Sequence, residues 1–360
     1  MQWNTSLSIN DTEINFTQPT YFIADIAANH DGDFERAKDL IYKAKEAGAD
    51  CAKFQHFLAN KIVSQTGFDA MQSKQAHQAS WEKSVTEVYD QYHFRRDWTQ
   101  PLLDICKEIG IDFMTTPYDY EALDEVVPLV PAIKIGSGDI TWTPFISKVA
   151  QTGKPVLLAT GAATMAEVEE AVDAVLAHNK NIVLMQCNTN YTGSLENFKY
   201  VNLNVLKSFA VRYPGMILGL SDHTPGHSAV VGAVTLGARV IEKHFTDDNS
   251  RVGPDHSFAL NPVTWRAMVD AVREVEYSLG GGVKQIEDNE DQTIIVQRRA
   301  IRVAHALPAG HVLTEADLEC LRPCPAEAVS PNNWTTVVGA TLAQAKAHGE
   351  HLTWDDLTVK

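Results

Sequence analysis

The sequence predicts a (β/α)8 barrel followed by a small C-terminal β-rich module. Eight short β-rich runs alternate with helical patterns over roughly 260 residues, the number and size of a closed parallel barrel. The turn after the first run, "AANHDGD", lacks a GxGxxG pattern, which counts against the rival, an open doubly wound sheet binding a dinucleotide. Near Gly280 the chain turns Gly-rich and then acidic, and a different pattern follows.

The elements follow in order. "YFIADIA", from Tyr21, leads into "DFERAKDLIYKAKEAGA", which is apolar at helical spacing and stopped by Gly48. "DCAKFQHF" is the second run. The stretch 58–94 is polar and too long for an ordinary βα connection, so it reads as a functional insertion or a lid. A helix over about 97–109 precedes "IDFMTTP"; "YEALDEVVPLV" precedes "AIKIGS"; "TPFISKVAQTG" precedes "PVLLATG". "TMAEVEEAVDAVLAH" precedes "NIVLMQCN", a helix near 203–209 precedes "MILGLSD", and "HSAVVGAVTLGA" precedes "RVIEKHF". "NPVTWRAMVDAVREVEYSLG" supplies the last helix. These runs set the expected barrel at 1–282, a linker at 283–297 from "GGGVKQIEDNEDQ", and a small module at 298–360.

Composition narrows the partners. A net charge of −16 argues against nucleic acid or an anionic membrane, yet leaves room for a small anionic substrate held by a few local cations. No apolar h-region follows Met1, and the longest apolar stretch, near 229–238, is too short for a bilayer. The five cysteines read as reduced thiols of a cytoplasmic protein. Cys320 and Cys324 form one close pair without a second, which falls short of a zinc-site spacing.

Function is expected at the C-terminal ends of barrel strands. Those ends carry Asp25; Lys53 with Gln55; Thr115 with Thr116; Lys134 with Ser137; Thr160; Cys187 with Asn188; Ser221 to His223; and Glu242 with His244. Lys53 and Lys134 lie inside apolar runs, where a lysine is seldom buried without a partner. With Thr116, Ser137 and Ser221 as hydroxyl donors they fit an anion pocket, the plain alternative being ion-paired structural lysines. His223 and His244 end adjacent runs near Glu242 and Asp255 and suit a divalent cation such as Mn²⁺, Fe²⁺ or Zn²⁺. The plain alternative there is a pair of core histidines, and His30, His227 and His256 keep the ligand set open.

Together the segments "IADIAANHDGD", "AGADCAKFQ", "FMTTP", "AIKIGSGD", "GLSDHT", "IEKHFT" and "GPDHSFALNP" resemble the sialic acid (nonulosonate) synthase family, which condenses phosphoenolpyruvate with an N-acylated mannosamine-type sugar. The segment "RRAIRVAHALPAGHVLTEADLECLRP" is similar to the antifreeze-like (SAF) β-clip domain of those enzymes. The resemblance implies a TIM-barrel transferase in which His223 and His244 hold a divalent metal, typically Mn²⁺, with Mg²⁺ or Co²⁺ as alternatives. It implies that Lys53, Thr116, Lys134, Ser137 and Ser221 cradle phosphoenolpyruvate, and that Gln55, Thr189 and Tyr191 belong to the substrate site. Asp25, Glu242 and Asp255 become the candidate catalytic carboxylates, with the one that transfers the proton left open among them. It further implies a domain-swapped homodimer, with Arg322 reaching the partner's sugar. Two departures stand out: Asp25 where the family has glutamate, and "QCNTNYTG" where relatives carry a Tyr-Pro pair. Both bear on the sugar, which stays open among N-acetylmannosamine, a 6-deoxy diacetamido analogue and an unmodified sugar. A metal-dependent barrel hydrolase and a non-catalytic sugar-binding protein are the alternatives from other classes.

Overall fold

The computed structural model describes residues 2–71, 78 and 81–359. The chain divides into two compact units at Gly280/Gly281. In the first, a short antiparallel hairpin, β1 (Leu7–Ile9) and β2 (Thr12–Ile14), precedes the barrel strands. These are β3 (Tyr21–Asp25), β4 (Cys51–His56), β5 (Asp112–Pro117), β6 (Ile133–Ile135), β7 (Val156–Ala159), β8 (Ile182–Cys187), β9 (Ile217–Asp222) and β10 (Ala238–His244). They pair in parallel in sequence order, and β10 closes on β3, so the expected eight-stranded barrel is observed.

The two-residue period of a strand puts alternate side chains inside the barrel. At the N-terminal end the inward positions are apolar: Tyr21, Ile23, Cys51, Met114, Leu157, Val183, Ile217 and Val240 form one cluster with Leu7, Ile9 and Ile14 of the hairpin. The hairpin, absent from the sequence-based expectation, thus plugs the barrel floor. Two to four residues further along, six of these rows become polar, at Asp25, Lys53 and Gln55, Thr116, Lys134, Ser221, and Glu242 with His244, while the β7 and β8 rows continue as Ala159 and as Met185 and Cys187. At the changeover Gly219 lacks a side chain for a steric reason. A Cβ there would lie 2.7 Å from the Val240 carbonyl oxygen and 2.9 Å from Met185 Cγ.

The outward rows pack under helices. The helix Phe34–Glu46 is capped by the Asp33 carboxylate, which accepts from Arg36 N, and it buries Ala37, Leu40, Ile41 and Ala44. It stops at Gly48, whose φ of +96° is left-handed and whose Cβ would meet Arg266. Within the 58–94 insertion the described residues fold as helices Ala59–Ile62, Gln65–Ala70 and Val85–Tyr92. The last buries Val85 and Val88, so this part is packed structure rather than a free polar lid. Residues 72–77 and 79–80 of that insertion lie outside the described set. No helix among the described residues is long and apolar enough to cross a membrane.

The second unit pairs β11 (Ala300–Val303) with β12 (Leu318–Leu321) and β13 (Thr341–Leu342) with β14 (Leu357–Thr358), around Ile301, Val303, Leu313, Val329, Leu342 and Leu352. The residues expected as linker include a helix, Asp291–Gln297. Two corners repeat, in "LTEADLECL" and "LTWDDLTV". In each, an Asp accepts from the backbone N–H and hydroxyl of a Thr three residues earlier: Asp317 from Thr314, Asp356 from Thr353.

Buried histidines give this fold a pH response. His56 lies between the hydroxyls of Thr115 (2.7 Å) and Thr99 (2.8 Å), and burial lowers its pKa to about 3. His30 is pressed against Phe94 and Trp98, and burial lowers its pKa to about 4. Each stays neutral in the folded chain but takes a proton in the unfolded chain below pH about 6.5. Stability is therefore full above that pH and falls as pH drops towards the folded values. A melting temperature that declines between pH about 6.5 and about 5, before carboxylates titrate, is expected; a flat profile there would contradict it.

Candidate active site

Strand register assembles the rim. Asp25 is level with His244 on one side and Lys53 on the other, Gln55 with Thr116, and Glu242 with Ser221. At the base of the pocket four charged side chains interlock. Lys53 Nζ lies 2.5 Å from Asp25 Oδ2 and 3.9 Å from Glu242 Oε2, while Lys134 Nζ lies 3.2 Å from Glu242 Oε1. All four are almost wholly buried. Burial works against the Lys53 ammonium, but Asp25 and Glu242 outweigh it and its pKa rises. Burial likewise opposes the Glu242 carboxylate, but Lys134, Lys53 and His244 prevail and hold it ionised. The two lysines are therefore not bare cations: two carboxylates already neutralise them.

The shorter Asp25 is fully occupied. Its Oδ2 accepts from Lys53 and from Gln55 Nε2 (3.0 Å), and its Oδ1 accepts from Ala27 N (3.1 Å). Around the cluster stand hydroxyls. Ser221 Oγ donates to Glu242 Oε1 at 3.1 Å, Ser137 Oγ accepts from Gly161 N at 2.9 Å, and the buried Thr116 hydroxyl has no partner. Thr115 and Thr160 instead donate to backbone carbonyls of Phe54 and Met185.

Above the cluster lie the two imidazoles, ring centroids 5.4 Å apart. His223 Nδ1 donates to the Asn188 carbonyl at 2.9 Å, which fixes the tautomer and leaves the Nε2 lone pair. Burial, reinforced by His244, lowers its pKa to about 3 and keeps it neutral. His244 Nδ1 is buried without a hydrogen-bond partner; Asp255 Oδ2 approaches only to 3.7 Å. The free Nε2 of His223 and the unpartnered Nδ1 of His244 suit a divalent cation that completes its shell from water or substrate. Among the described residues no group of three or more His, Cys, Asp or Glu could hold a metal by itself. His30 and His256 are engaged elsewhere, and His227 stands at the N-terminal cap position of the helix Ser228–Thr235 without a side-chain capping bond.

Outward from the imidazoles a cavity of about 150 Å³ is lined by Gln55, Tyr89, Tyr118, Tyr191, His244 and Asp255, among others. Tyr191 packs on His223 at 4.3 Å between centroids. Thr189 sits over Gly161, where a Cβ would approach its methyl to 2.6 Å and Ser137 Oγ to 2.9 Å. Gly161 is thus a site residue invisible in sequence, since only its three-dimensional neighbours require it. Asp139, in the turn after β6, was likewise missed. Its Oδ2 is buried without a partner, and burial pushes its pKa up to about 6 against the pull of Lys134. Arg322 belongs to the second unit, where its Nε donates to the Gln297 carbonyl at 2.6 Å.

Comparison with known proteins agrees with this geometry. Residues 40–284 match the NeuB family and residues 298–358 the SAF domain. The N,N'-diacetyllegionaminic acid synthase of Legionella pneumophila is 34% identical over 347 residues, covering 94% of each chain. The N-acetylneuraminate-9-phosphate synthase of Homo sapiens is 33% identical over 297 residues, covering 82% of this chain and 81% of its own. The crystal structure of the spore coat polysaccharide biosynthesis protein SpsE from Bacillus subtilis superposes with a TM-score of 0.65 at 29% identity, covering 99% of both chains. Since most of the barrel, with its ring of strand-end residues, falls within the matched segment, the chain belongs to the NeuB family and carries a SAF domain at its C-terminal end.

Proposed function

We propose that this chain condenses phosphoenolpyruvate with the open-chain form of an N-acylated mannosamine-type sugar and releases inorganic phosphate, as a carbon–carbon bond-forming transferase. The observation that carries the reading is the buried lysine pair, Lys53 and Lys134, beside the unpartnered Thr116 hydroxyl and beneath two imidazoles. A cluster neutral on its own still offers unused ammonium donors, and a polyanion entering it gains charge-assisted hydrogen bonds from both lysines. Lys53, Lys134, Thr116, Ser137 and Ser221 hold the phosphate and carboxylate. Gln55, Thr189, Tyr191 and Asp255 face the sugar. C3 of phosphoenolpyruvate attacks the sugar aldehyde, whose oxygen takes a proton. Water adds to C2 and loses a proton, and the C2–O bond breaks to release phosphate. Glu242, held ionised, stabilises the positive charge that develops at C2, and Asp255, with a single long hydrogen bond, is the carboxylate free for proton handling, Asp25 being paired with Lys53. When bound at His223 and His244, a divalent ion, Mn²⁺ before Mg²⁺ or Co²⁺, supplies a Lewis acid for the aldehyde.

The test is phosphate release from phosphoenolpyruvate with Mn²⁺ and a panel of acylated hexosamines. The expected result is release that needs both substrates. Release from a sugar ester alone, or sugar binding without turnover, would overturn the reading in favour of a hydrolase or a binding protein. The same panel identifies the acceptor, which relatives at 34% and 33% identity with differently named products do not separate.

The homodimer, with Arg322 of one subunit completing the other's site, is also a proposal. Mixing Arg322→Ala with His244→Ala chains leaves one intact site per heterodimer, so subunit exchange restores activity; heterodimers as inactive as either parent would dismiss it. The five free cysteines suit a reducing cytoplasm.

A further inference from the structure

Asp255 lines the cavity, yet its own bonds do not explain why it stays there. Its Oδ2 accepts one long hydrogen bond, from Ala28 N at 3.3 Å, and stands 3.7 Å from His244 Nδ1. It lies within a long irregular connection between β10 and the helix Pro262–Ser278. A connection of that length wanders unless something fixes it. The fixed point is the next residue. His256 is wholly buried, and both its ring nitrogens are engaged: Nδ1 with the Thr246 hydroxyl at 2.8 Å, Nε2 with Asp31 Oδ1 at 2.9 Å. Asp31 comes from the opposite side of the barrel closure, in the loop after β3, at a left-handed φ of 54°. Its second oxygen accepts from Arg251 Nε at 2.9 Å, and Arg36 lies 3.2 Å away. One carboxylate therefore grips the β10 connection twice, on either side of Asp255's neighbours. Gly253 lies on the ring so closely that a Cβ would be 2.6 Å from His256 Cδ2. Asn249 closes the far side by donating to the His256 and Ala259 carbonyls.

We propose that Asp31 and His256 are positioning residues that hold Asp255 against the sugar-binding cavity, and that this clamp acts on the sugar half of the reaction alone. The proposal rests on the reading of Asp255 as a sugar-facing carboxylate. Nothing in the clamp touches Lys53, Lys134 or their partners, so the phosphoenolpyruvate end is untouched when it opens. Misplacing a reacting group by about 1 Å costs on the order of a hundredfold.

The experiment measures steady-state kinetics for both substrates and phosphoenolpyruvate binding by calorimetry, on full-length chains. His256→Ala is expected to lower kcat/KM for the sugar by roughly tenfold to a hundredfold, with unchanged phosphoenolpyruvate affinity. His256→Gln, whose amide still reaches Asp31, is expected to recover most of that loss. Equal losses for both substrates, no loss for the sugar, or a glutamine variant as impaired as alanine would each overturn the clamp. Should His256→Ala not fold, Asp31→Ala, partly exposed, is expected to give the same split, and its absence overturns the proposal equally. Hydrogen exchange keeps the clamp separate from the proposed reaction. In Asp31→Ala, amides of 249–258 are expected to exchange faster than in the unaltered chain even if no sugar is ever turned over; unchanged exchange there would refute the clamp.

Discussion

Lys53→Ala removes activity and costs the barrel about 3–5 kcal/mol, the loss expected when one partner of a buried ion pair is deleted. The Asp25 carboxylate, buried with the lysine, would keep only the amides of Gln55 and Ala27, and Glu242 would lose one of its two cations. Against a total stability of about 5–15 kcal/mol, that loss lowers the melting temperature sharply. A double variant separates folding from function. Lys53→Met with Asp25→Leu removes both charges while keeping most of the volume, so the melting temperature should recover. Phosphoenolpyruvate affinity should not, because an ammonium donor is still missing. Chemical denaturation reads the first effect and calorimetry the second. A single variant as stable as the parent chain would refute the buried-pair cost, and a double variant that binds phosphoenolpyruvate normally would refute Lys53 as an anion anchor.

Metal removal is expected to be equally decisive. Chelation brings phosphate release to background, and Mn²⁺ restores it. The two imidazoles should then part company in stability. His244 Nδ1 has no hydrogen-bond partner to lose, so His244→Ala loses metal by elemental analysis and destabilises the chain less than His223→Ala. His223→Ala loses metal too, but it strips the Asn188 carbonyl of its donor, at a cost of about 1–3 kcal/mol. A verifiably metal-free enzyme running at full rate would refute the assignment of both histidines.

The βα alternation and the polar strand ends were legible because both depend on short-range periodicity. Six of the eight inward rows change from apolar to polar within one run, as in "YFIAD" and "CAKFQH", and that change survives into the fold unaltered. What escaped depends on contacts across the barrel. That Asp25 neutralises Lys53 follows from the β3–β4 register, not from either motif. That Lys134 meets Glu242 requires β6 and β10 to converge from opposite arcs of a closed sheet. His256 and Asp31 are 225 residues apart, so their pairing has no local signature. The β1–β2 hairpin was missed because three-residue strands are too short to show a period.

The placement of polar residues along the barrel has an evolutionary corollary. Lys53, Lys134, Ser221 and Glu242 sit within or just at the end of strands whose neighbours fix them on both sides. Asn188 to Tyr191, the helices Ala59–Ile62, Gln65–Ala70 and Val85–Tyr92, and the connection holding Asp255 lie outside the barrel ladder. Drift can therefore rewrite the outer tier while the inner tier stays put. Under the proposed reaction, a lineage that acquires a new acceptor need not relearn how to handle phosphoenolpyruvate. Chimaeras exchanging only these outer segments with a relative should trade acceptor preference and keep the same donor, a modularity inherited from the geometry of a closed parallel sheet.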